Sequence, residues 1–132
     1  MKRKAIQECL NIALRNNNPN HPQWACYKHY SFILQDNKIV DWGTNRPGNA
    51  FTFLGYKAHC KIHSEVDAYR KAKGLMIKGT PFEIVNIRLT KDSRIRSSCP
   101  CKCCWNFLKN LGCKKMYFST DMEDFAYLSF SS

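Results

Sequence analysis

The fold of this chain is decided by residues 63–90, which read HSEVDAYRKAKGLMIKGTPFEIVNIRLT. The part over residues 63–73 predicts a helix, because its acidic side chains come in the first turn and its basic ones near the end, as the helix dipole favours. Gly74 is the expected C-cap of this helix. Residues 82–90 then alternate towards a strand. A helix that leads into a strand predicts a crossover between strands of one sheet.

The rest of the chain supplies further elements of both kinds. They are predicted as a helix over 3–16, a hairpin of strands over 27–34 and 38–42, a helix over 101–111 closed by Gly112, and strands over 116–120 and 125–130, the last with a short helix as the alternative. Residues 43–61 are expected to be irregular, and a loop of that length is more often functional than idle. This order predicts an α/β fold in a single domain over 1–132: a three-layer α/β/α sandwich with a mixed, mostly five-stranded sheet and a C-terminal hairpin.

The net charge restricts the classes of partner. The chain has 21 Lys and Arg residues against 10 Asp and Glu residues, which gives a net charge of +11. A field this positive favours polyanions, either nucleic acid or an anionic membrane surface. No stretch approaches the ~20 apolar residues of a membrane span. The basic start at residues 2–4 is not followed by a continuous apolar run, so no signal peptide is predicted either.

The cysteines indicate a metal site rather than a disulfide framework. Four of the eight fall between positions 99 and 104, namely Cys99, Cys101, Cys103 and Cys104. Such crowding in a chain without an export signal is typical of metal binding in a reducing compartment, so a cytoplasmic location is expected. The isolated Cys9, Cys26 and Cys113 are predicted to be small core residues.

Two short motifs open two of the predicted helices. Residues 63–65, HSE, have the form H-x-E, and residues 100–104, PCKCC, have the form P-C-x-x-C. Cys101 and Cys104 stand at i and i+3 and share one helix face, whereas Cys103 points elsewhere. The helix dipole favours thiolates at a helix N-terminus. One imidazole with two thiolates leaves the fourth position of a zinc ion open for water, as catalytic zinc sites require.

These motifs resemble those of the cytidine deaminase-like superfamily, in which H-x-E and P-C-x-x-C form the zinc deaminase signature. Residues 42–47, WGTNRP, look like the G-x-N-x-P stretch of tRNA adenosine deaminases and deoxycytidylate deaminases. With the order of elements, the resemblance covers nearly the whole chain. It implies zinc as the cofactor, Glu65 as the catalytic residue that moves protons, and a contact between Asn45 and the bound base or sugar. The implied zinc ligands are His63, Cys101 and Cys104.

The chain departs from the family pattern at two positions. Ser64 stands where the family often has Ala or Val, and Cys99 stands where many members have Glu. A purely structural zinc site is the alternative to a catalytic one, and it needs a fourth protein ligand. Candidates for that ligand are His59, Cys60, Cys99 and Cys103. Glu65 favours the catalytic interpretation, because proton transfer needs a carboxylate beside the metal. His21 and His29 are predicted to be surface or strand histidines rather than ligands.

The substrate is expected to be cytosine in single-stranded nucleic acid, deaminated by hydrolysis to uracil. The positive charge exceeds what the phosphate of one nucleotide requires, and only an unpaired base reaches a buried zinc. The predicted substrate contacts besides Asn45 are Phe51, Phe53 and Tyr56 as stacking platforms and Arg96 as a phosphate contact. Ordinary packing into the core is the equal alternative for the three aromatic residues.

Three other functions fit parts of this pattern. A deaminase of free cytidine or deoxycytidylate is favoured by the short C-terminal end, since twelve residues follow Thr120 and a closing hairpin resembles the free cytidine deaminases. Adenosine-to-inosine deamination on tRNA is favoured by the stretch over 42–47. A zinc-stabilised nucleic-acid-binding module shares the metal and the charge but needs neither Glu65 nor an open zinc position.

Overall fold

The computed structural model describes residues 2–18, 20, 27–47, 51–53, 56–58, 61–99 and 102–129. The helices are α1 (Lys2–Asn16), α2 (Ser64–Ala72) and α3 (Lys102–Asn110). The strands are β1 (Tyr27–Gln35), β2 (Lys38–Thr44), β3 (Arg46–Pro47), β4 (Phe51–Phe53), β5 (Tyr56–Ala58), β6 (Lys61–Ile62), β7 (Phe82–Thr90), β8 (Ile95–Arg96), β9 (Cys113–Ser119) and β10 (Phe125–Ser129). None of the helices in this described part of the chain is long and apolar enough to span a membrane.

A mixed six-stranded sheet carries the fold. Its strands run in the order β10, β9, β7, β1, β2, and β8 pairs with β7 beyond the end of β9. β1 is antiparallel to both β2 and β7, whereas β7 and β9 are parallel because α3 crosses over between them. β9 and β10 form an antiparallel hairpin. The predicted mixed sheet and C-terminal hairpin are confirmed. Within this sheet, β8 was not predicted, because two residues are too short to show a sequence pattern.

Helices cover both faces of the sheet. Alternate residues of β1 and β7 point to opposite sides, so each face has side chains to bury. The side chains buried between the sheet and α1 are Ala5, Cys9, Ala13, Tyr30, Phe32, Leu34, Val85, Ile87 and Leu89. Those buried between the sheet and α2 and α3 include Ile33, Val66, Ala68, Ile84, Phe107, Leu108 and Met116. The predicted three-layer α/β/α sandwich is therefore confirmed.

A two-residue turn joins β1 to β2. Asp36 and Asn37 both have positive φ angles, of 51° and 63°, as a hairpin turn of the primed type requires. A bulge follows at Val40 of β2, between the pairs Leu34–Ile39 and Ile33–Asp41, and beyond it Ser31 lies opposite Gly43. The turn and the bulge together decide which residues of β2 lie opposite those of β1.

The segment over 43–61 is less irregular than predicted. β2 extends to Thr44, and two small antiparallel ladders follow, one between β3 and β6 and one between β4 and β5. Strands of two or three residues show no alternation that a sequence pattern detects. β6 ends at Ile62, directly before α2, so the ladder that contains it fixes where the helix begins.

Glycine ends only one of the two helices for which it was predicted. Gly112 follows α3 with a φ of +94°, the left-handed conformation of a glycine C-cap. Gly74 has no positive φ, and Lys73 caps α2 in the right-handed conformation. The backbone N–H groups of Leu75 and Met76 both donate to the carbonyl of Ala72, so this helix end is satisfied without a left-handed residue.

Two of the isolated cysteines are core residues, as predicted. Cys9 and Cys113 are buried in the two separate clusters on either side of the sheet. Burial raises the pKa of both thiols to about 12, so both are protonated at neutral pH. Cys26 lies outside the described residues. Cys99, from the crowded group, is exposed.

Candidate active site

A cavity of about 130 Å³ lies between the N-terminus of α2, the adjoining ends of β1 and β2, and the loop that precedes α3. Its described lining consists of His29, Asn45, His63, Ser64, Glu65, Ser98 and Cys99. Three predicted site residues, Asn45, His63 and Glu65, therefore share one cavity although they come from different parts of the chain.

The start of α2 directs both motif residues to this cavity. His63 is the N-cap residue, with extended backbone angles of φ −73° and ψ 149°, and its carbonyl accepts the N–H of Asp67 at 3.1 Å. Two residues separated by one position on a regular helix point to different sides. His63 and Glu65 reach the same cavity because His63 precedes the regular helix.

Glu65 is buried and held by side chains. Its carboxylate is only 6% exposed. Oε2 accepts a hydrogen bond from Asn86 Nδ2 at 3.1 Å, and Oε1 lies 3.3 Å from the hydroxyl of Ser64. These polar neighbours fix the orientation of the buried carboxylate.

Asn45 is held against the backbone of β1. Its N–H donates to the carbonyl of His29 at 3.3 Å, and its side-chain Oδ1 accepts the N–H of His29 at 2.9 Å. This pairing continues the contact between β1 and β2 past the end of β2. With Oδ1 engaged in this way, the amide keeps Nδ2 as its hydrogen-bond donor.

A close contact between β2 and α2 brings Asn45 beside Glu65. The N–H of Thr44 donates to Asp67 Oδ2 at 3.1 Å, and Asp67 is almost fully buried. Gly43 permits this approach, because a Cβ there would stand 2.5 Å from the backbone nitrogen of Ala68. Only glycine fits at a contact this short.

The loop before α3 is pinned to the sheet. The Ser98 hydroxyl donates to the carbonyl of Asn86 at 2.9 Å and lies 2.8 Å from the hydroxyl of Ser119, while the Ser98 N–H donates to the Ser119 carbonyl at 2.9 Å. These bonds fix Cys99 in the cavity wall. In the sequence, Cys99 stands two positions before Cys101 and three before Lys102, where α3 begins.

The donor atoms of the two motifs suit zinc. His63 lies in the wall, Cys101 directly precedes α3 but lies outside the described residues, and Cys104 lies in the first turn of α3 with its side chain also outside them. Among the side chains that the structure does describe, no three His, Cys, Asp or Glu residues are grouped to hold a metal. One imidazole at a helix N-cap, with two cysteines at the start of a second helix, is a donor set that zinc prefers.

The predicted substrate contacts are only partly brought together. Asn45 lines the cavity, whereas Arg96 lies in β8 opposite Arg88 and is absent from the described lining. Phe51 and Phe53 in β4 and Tyr56 in β5 have side chains outside the described residues. His29 lies in β1, as predicted for a strand histidine, and it also lines the cavity.

Sequence reasoning also missed the polar residues of the central strands. Ser31 and Asn86 are buried on the face of the sheet that carries α2. The available signal was the pattern itself: His29 and Ser31 alternate with the apolar Tyr30 and Phe32, and Asn86 interrupts an apolar strand. A polar residue at an inward position of a buried strand indicates a site.

Comparisons with known proteins identify the fold. No protein-family model matches the chain, and no curated protein matches it in sequence. The chain is similar in structure to a cytidine deaminase from Burkholderia pseudomallei, whose 1.6 Å crystal structure superimposes with a TM-score of 0.63 and 16% sequence identity. The match covers 98% of this chain and 94% of that one. This chain therefore has the α/β fold of that cytidine deaminase over almost its whole length.

Proposed function

We propose that this protein is a zinc-dependent hydrolytic deaminase that converts cytosine to uracil. The observation that carries the proposal is the meeting of His63, Glu65 and Asn45 in the wall of one cavity. They offer a metal-binding imidazole, a carboxylate for proton transfer and an amide for hydrogen bonding, which are the groups the reaction needs. The fold, shared with a cytidine deaminase, supports the same reaction class.

The proposed zinc ligands are His63, Cys101 and Cys104. When bound, the ion would lower the pKa of a water at its open position to about 7 and so supply a nucleophile at neutral pH. The thiolates at the start of α3 are stabilised by the positive end of that helix.

Glu65 moves the protons in this proposal. It accepts a proton from the attacking water and delivers it to the ring nitrogen N3 of cytosine. The oxygen of the water forms a bond to C4, and a second proton transfer lets the amino group leave as ammonia. One water is consumed, one ammonia is released, and Glu65 ends in the ionised form in which it began.

Asn45 and His29 hold the substrate against these groups. Asn45 Nδ2 donates to the base or the sugar, while its Oδ1 stays engaged with the backbone of His29. The imidazole of His29 forms a neighbouring part of the wall. A substrate fixed on two sides keeps its reacting carbon close to the nucleophile, which converts binding into rate.

Single-stranded nucleic acid is the proposed form of the substrate. The net charge of +11 supports a polyanion, and Arg88 and Arg96 are paired across β7 and β8 next to the loop that forms the cavity wall. Free cytidine or deoxycytidylate is the second candidate. It is favoured by the antiparallel hairpin of β9 and β10 and by the likeness to a cytidine deaminase.

Purified protein is expected to hold about one zinc per chain, because three protein ligands define one site. His63→Ala, Cys101→Ser and Cys104→Ser should each lose the metal in elemental analysis. Cys9→Ala is the matched control, since Cys9 lies in α1, buried against the other face of the sheet, and this variant should retain the metal. If Cys101→Ser retained its zinc and Cys103→Ser lost it, the assignment of Cys101 as a ligand would be wrong.

Deamination of a cytosine oligonucleotide is expected to fall steeply with salt. Each phosphate contact on a single strand contributes a slope of about 0.7 in log affinity against log salt concentration. Turnover of the oligonucleotide, tRNA, deoxycytidylate and cytidine should be measured in parallel, with the free substrates slower and nearly independent of salt. Turnover of the free substrates alone would support the second candidate. No turnover of any of them by zinc-loaded protein would favour a binding module.

A further inference from the structure

Four polar side chains lie in a ring beneath the cavity, joined by three hydrogen bonds and closed by one longer contact. They are Ser31, Ser64, Glu65 and Asn86, and each is at most 6% exposed. Ser31 Oγ donates to Asn86 Oδ1 at 2.6 Å, and Asn86 Nδ2 donates to Glu65 Oε2 at 3.1 Å. The hydroxyls of Ser31 and Ser64 are 2.7 Å apart, and Ser64 Oγ lies 3.3 Å from Glu65 Oε1.

The sheet register creates this ring. Ser31 of β1 and Asn86 of β7 are direct cross-strand partners in the middle of the sheet, on the face that carries α2. Their neighbours along the same face, Ile33 and Ile84, are fully buried and apolar. Apolar side chains thus fill the next positions on this face, and packing alone does not require polar residues at Ser31 and Asn86. Four buried polar groups cost free energy unless all are bonded, so their presence points to a role in the site.

The number of available protons decides which group donates in each hydrogen bond of the ring. A serine hydroxyl has one proton. Ser31 uses its proton on Asn86 Oδ1, so it accepts from Ser64 in the 2.7 Å contact. The bond from Ser31 also fixes the amide of Asn86, because a flipped amide would set Oδ1 against the carboxylate. The amide Nδ2 of Asn86 is thereby held on Glu65 Oε2.

We propose that Asn86, oriented by Ser31, is a positioning residue that anchors Glu65 through Oε2 and leaves the exchange of protons with the substrate to Oε1. This inference rests on the proposed function of Glu65. The anchor stops the carboxylate from rotating between proton transfers. A general acid–base group must stay within hydrogen-bond distance of two successive atoms of the substrate, so a fixed orientation raises the rate of the chemical step.

The test compares Asn86→Leu and Ser31→Ala with the wild-type protein. Asn86→Leu keeps the branched shape of the side chain but removes the donor, and kcat should fall about 10- to 100-fold with KM within twofold. Ser31→Ala is the milder variant, in which kcat should fall less and KM should stay unchanged. Zinc content should match the wild type in both.

Gln35→Leu is the matched control. Gln35 is another buried amide on the same face of β1, but it bonds to the carbonyls of Ile77 and Thr80, away from the cavity. Its loss should lower the urea midpoint and leave kcat unchanged. If kcat fell as much for Gln35→Leu as for Asn86→Leu, the loss of any buried amide on this face would have the same effect. The ring would then have only a structural role, and the proposal would be overturned.

A stability cycle tests the anchor without activity. The urea midpoint of Asn86→Leu is measured with Glu65 present and in a Glu65→Leu background, and the loss should be clearly larger when the carboxylate is present. Additive losses would overturn the anchor. Unchanged kcat in Asn86→Leu, with Glu65→Gln inactive, would overturn it while sparing the proposed function. Equal inactivity of wild type and Glu65→Gln on every substrate would overturn both.

Discussion

Glu65→Gln is expected to abolish deamination while the protein still folds. The substitution keeps the shape of the side chain, and the amide oxygen can still accept the bond from Asn86 Nδ2. It removes the ability to take a proton from water and hand it to the ring. General acid–base groups are worth about 10²- to 10⁴-fold, and kcat should fall by at least that factor.

The measurement is steady-state turnover of the best substrate, with circular dichroism and zinc content on the same preparation. Glu8→Gln is the matched control, because Glu8 is an exposed glutamate on α1, on the opposite face of the sheet. It should turn over at the wild-type rate. If Glu65→Gln keeps activity within a few-fold of the wild type, Glu65 has no part in the proton transfer.

Gly43→Ala is expected to destabilise the protein strongly and to move Asn45, which follows β2, away from Glu65 on α2. The added Cβ would stand 2.5 Å from the nitrogen of Ala68 and 2.6 Å from Asp67 Oδ2. Backbone atoms cannot give way as a flexible side chain does, so α2 must move away from β2. Overpacking of this kind costs about 1–3 kcal/mol, sometimes more, out of the roughly 5–15 kcal/mol that small proteins possess.

The effect is measured as the shift in urea midpoint, together with turnover at a temperature where the variant is folded. Gly74→Ala is the matched control, since a Cβ there meets nothing within 4 Å and the residue has no positive φ. It should raise the free energy of unfolding by about 0.4–1 kcal/mol. A Gly43→Ala protein with wild-type midpoint and turnover would contradict the close contact between β2 and α2.

The sequence predicted those parts of the molecule that have long, regular patterns. α2 and β7 show clear periodicity and charge order, and they lie where expected. The small ladders over 46–62 and the two-residue β8 arise from local pairing between extended segments, which leaves no period in the sequence. Gly74 has the residue type of a C-cap, but the tertiary structure satisfies that helix end in another way.

The candidate site was predictable where a motif exists and unpredictable where pairing creates it. The H-x-E motif identified His63 and Glu65, and both line the cavity. His29 and Asn86 belong to no motif. They come to the site because β1 pairs with β2 on one side and with β7 on the other, and such registers are set by whole strands.

The turn at Asp36 and Asn37 gives the protein an unusual sensitivity to insertions and deletions. Loop tips normally tolerate a change of length. Here one added or missing residue would slip β1 against β2, and a slip of one position turns every side chain of a strand to the opposite face. Because β1 is also held by β7, the slip would fall on β2, and Gly43 would leave its place opposite Ser31 and against α2. A related chain could thus keep every motif residue and still lose the position of Asn45 in the cavity wall through a one-residue change in the length of a distant turn.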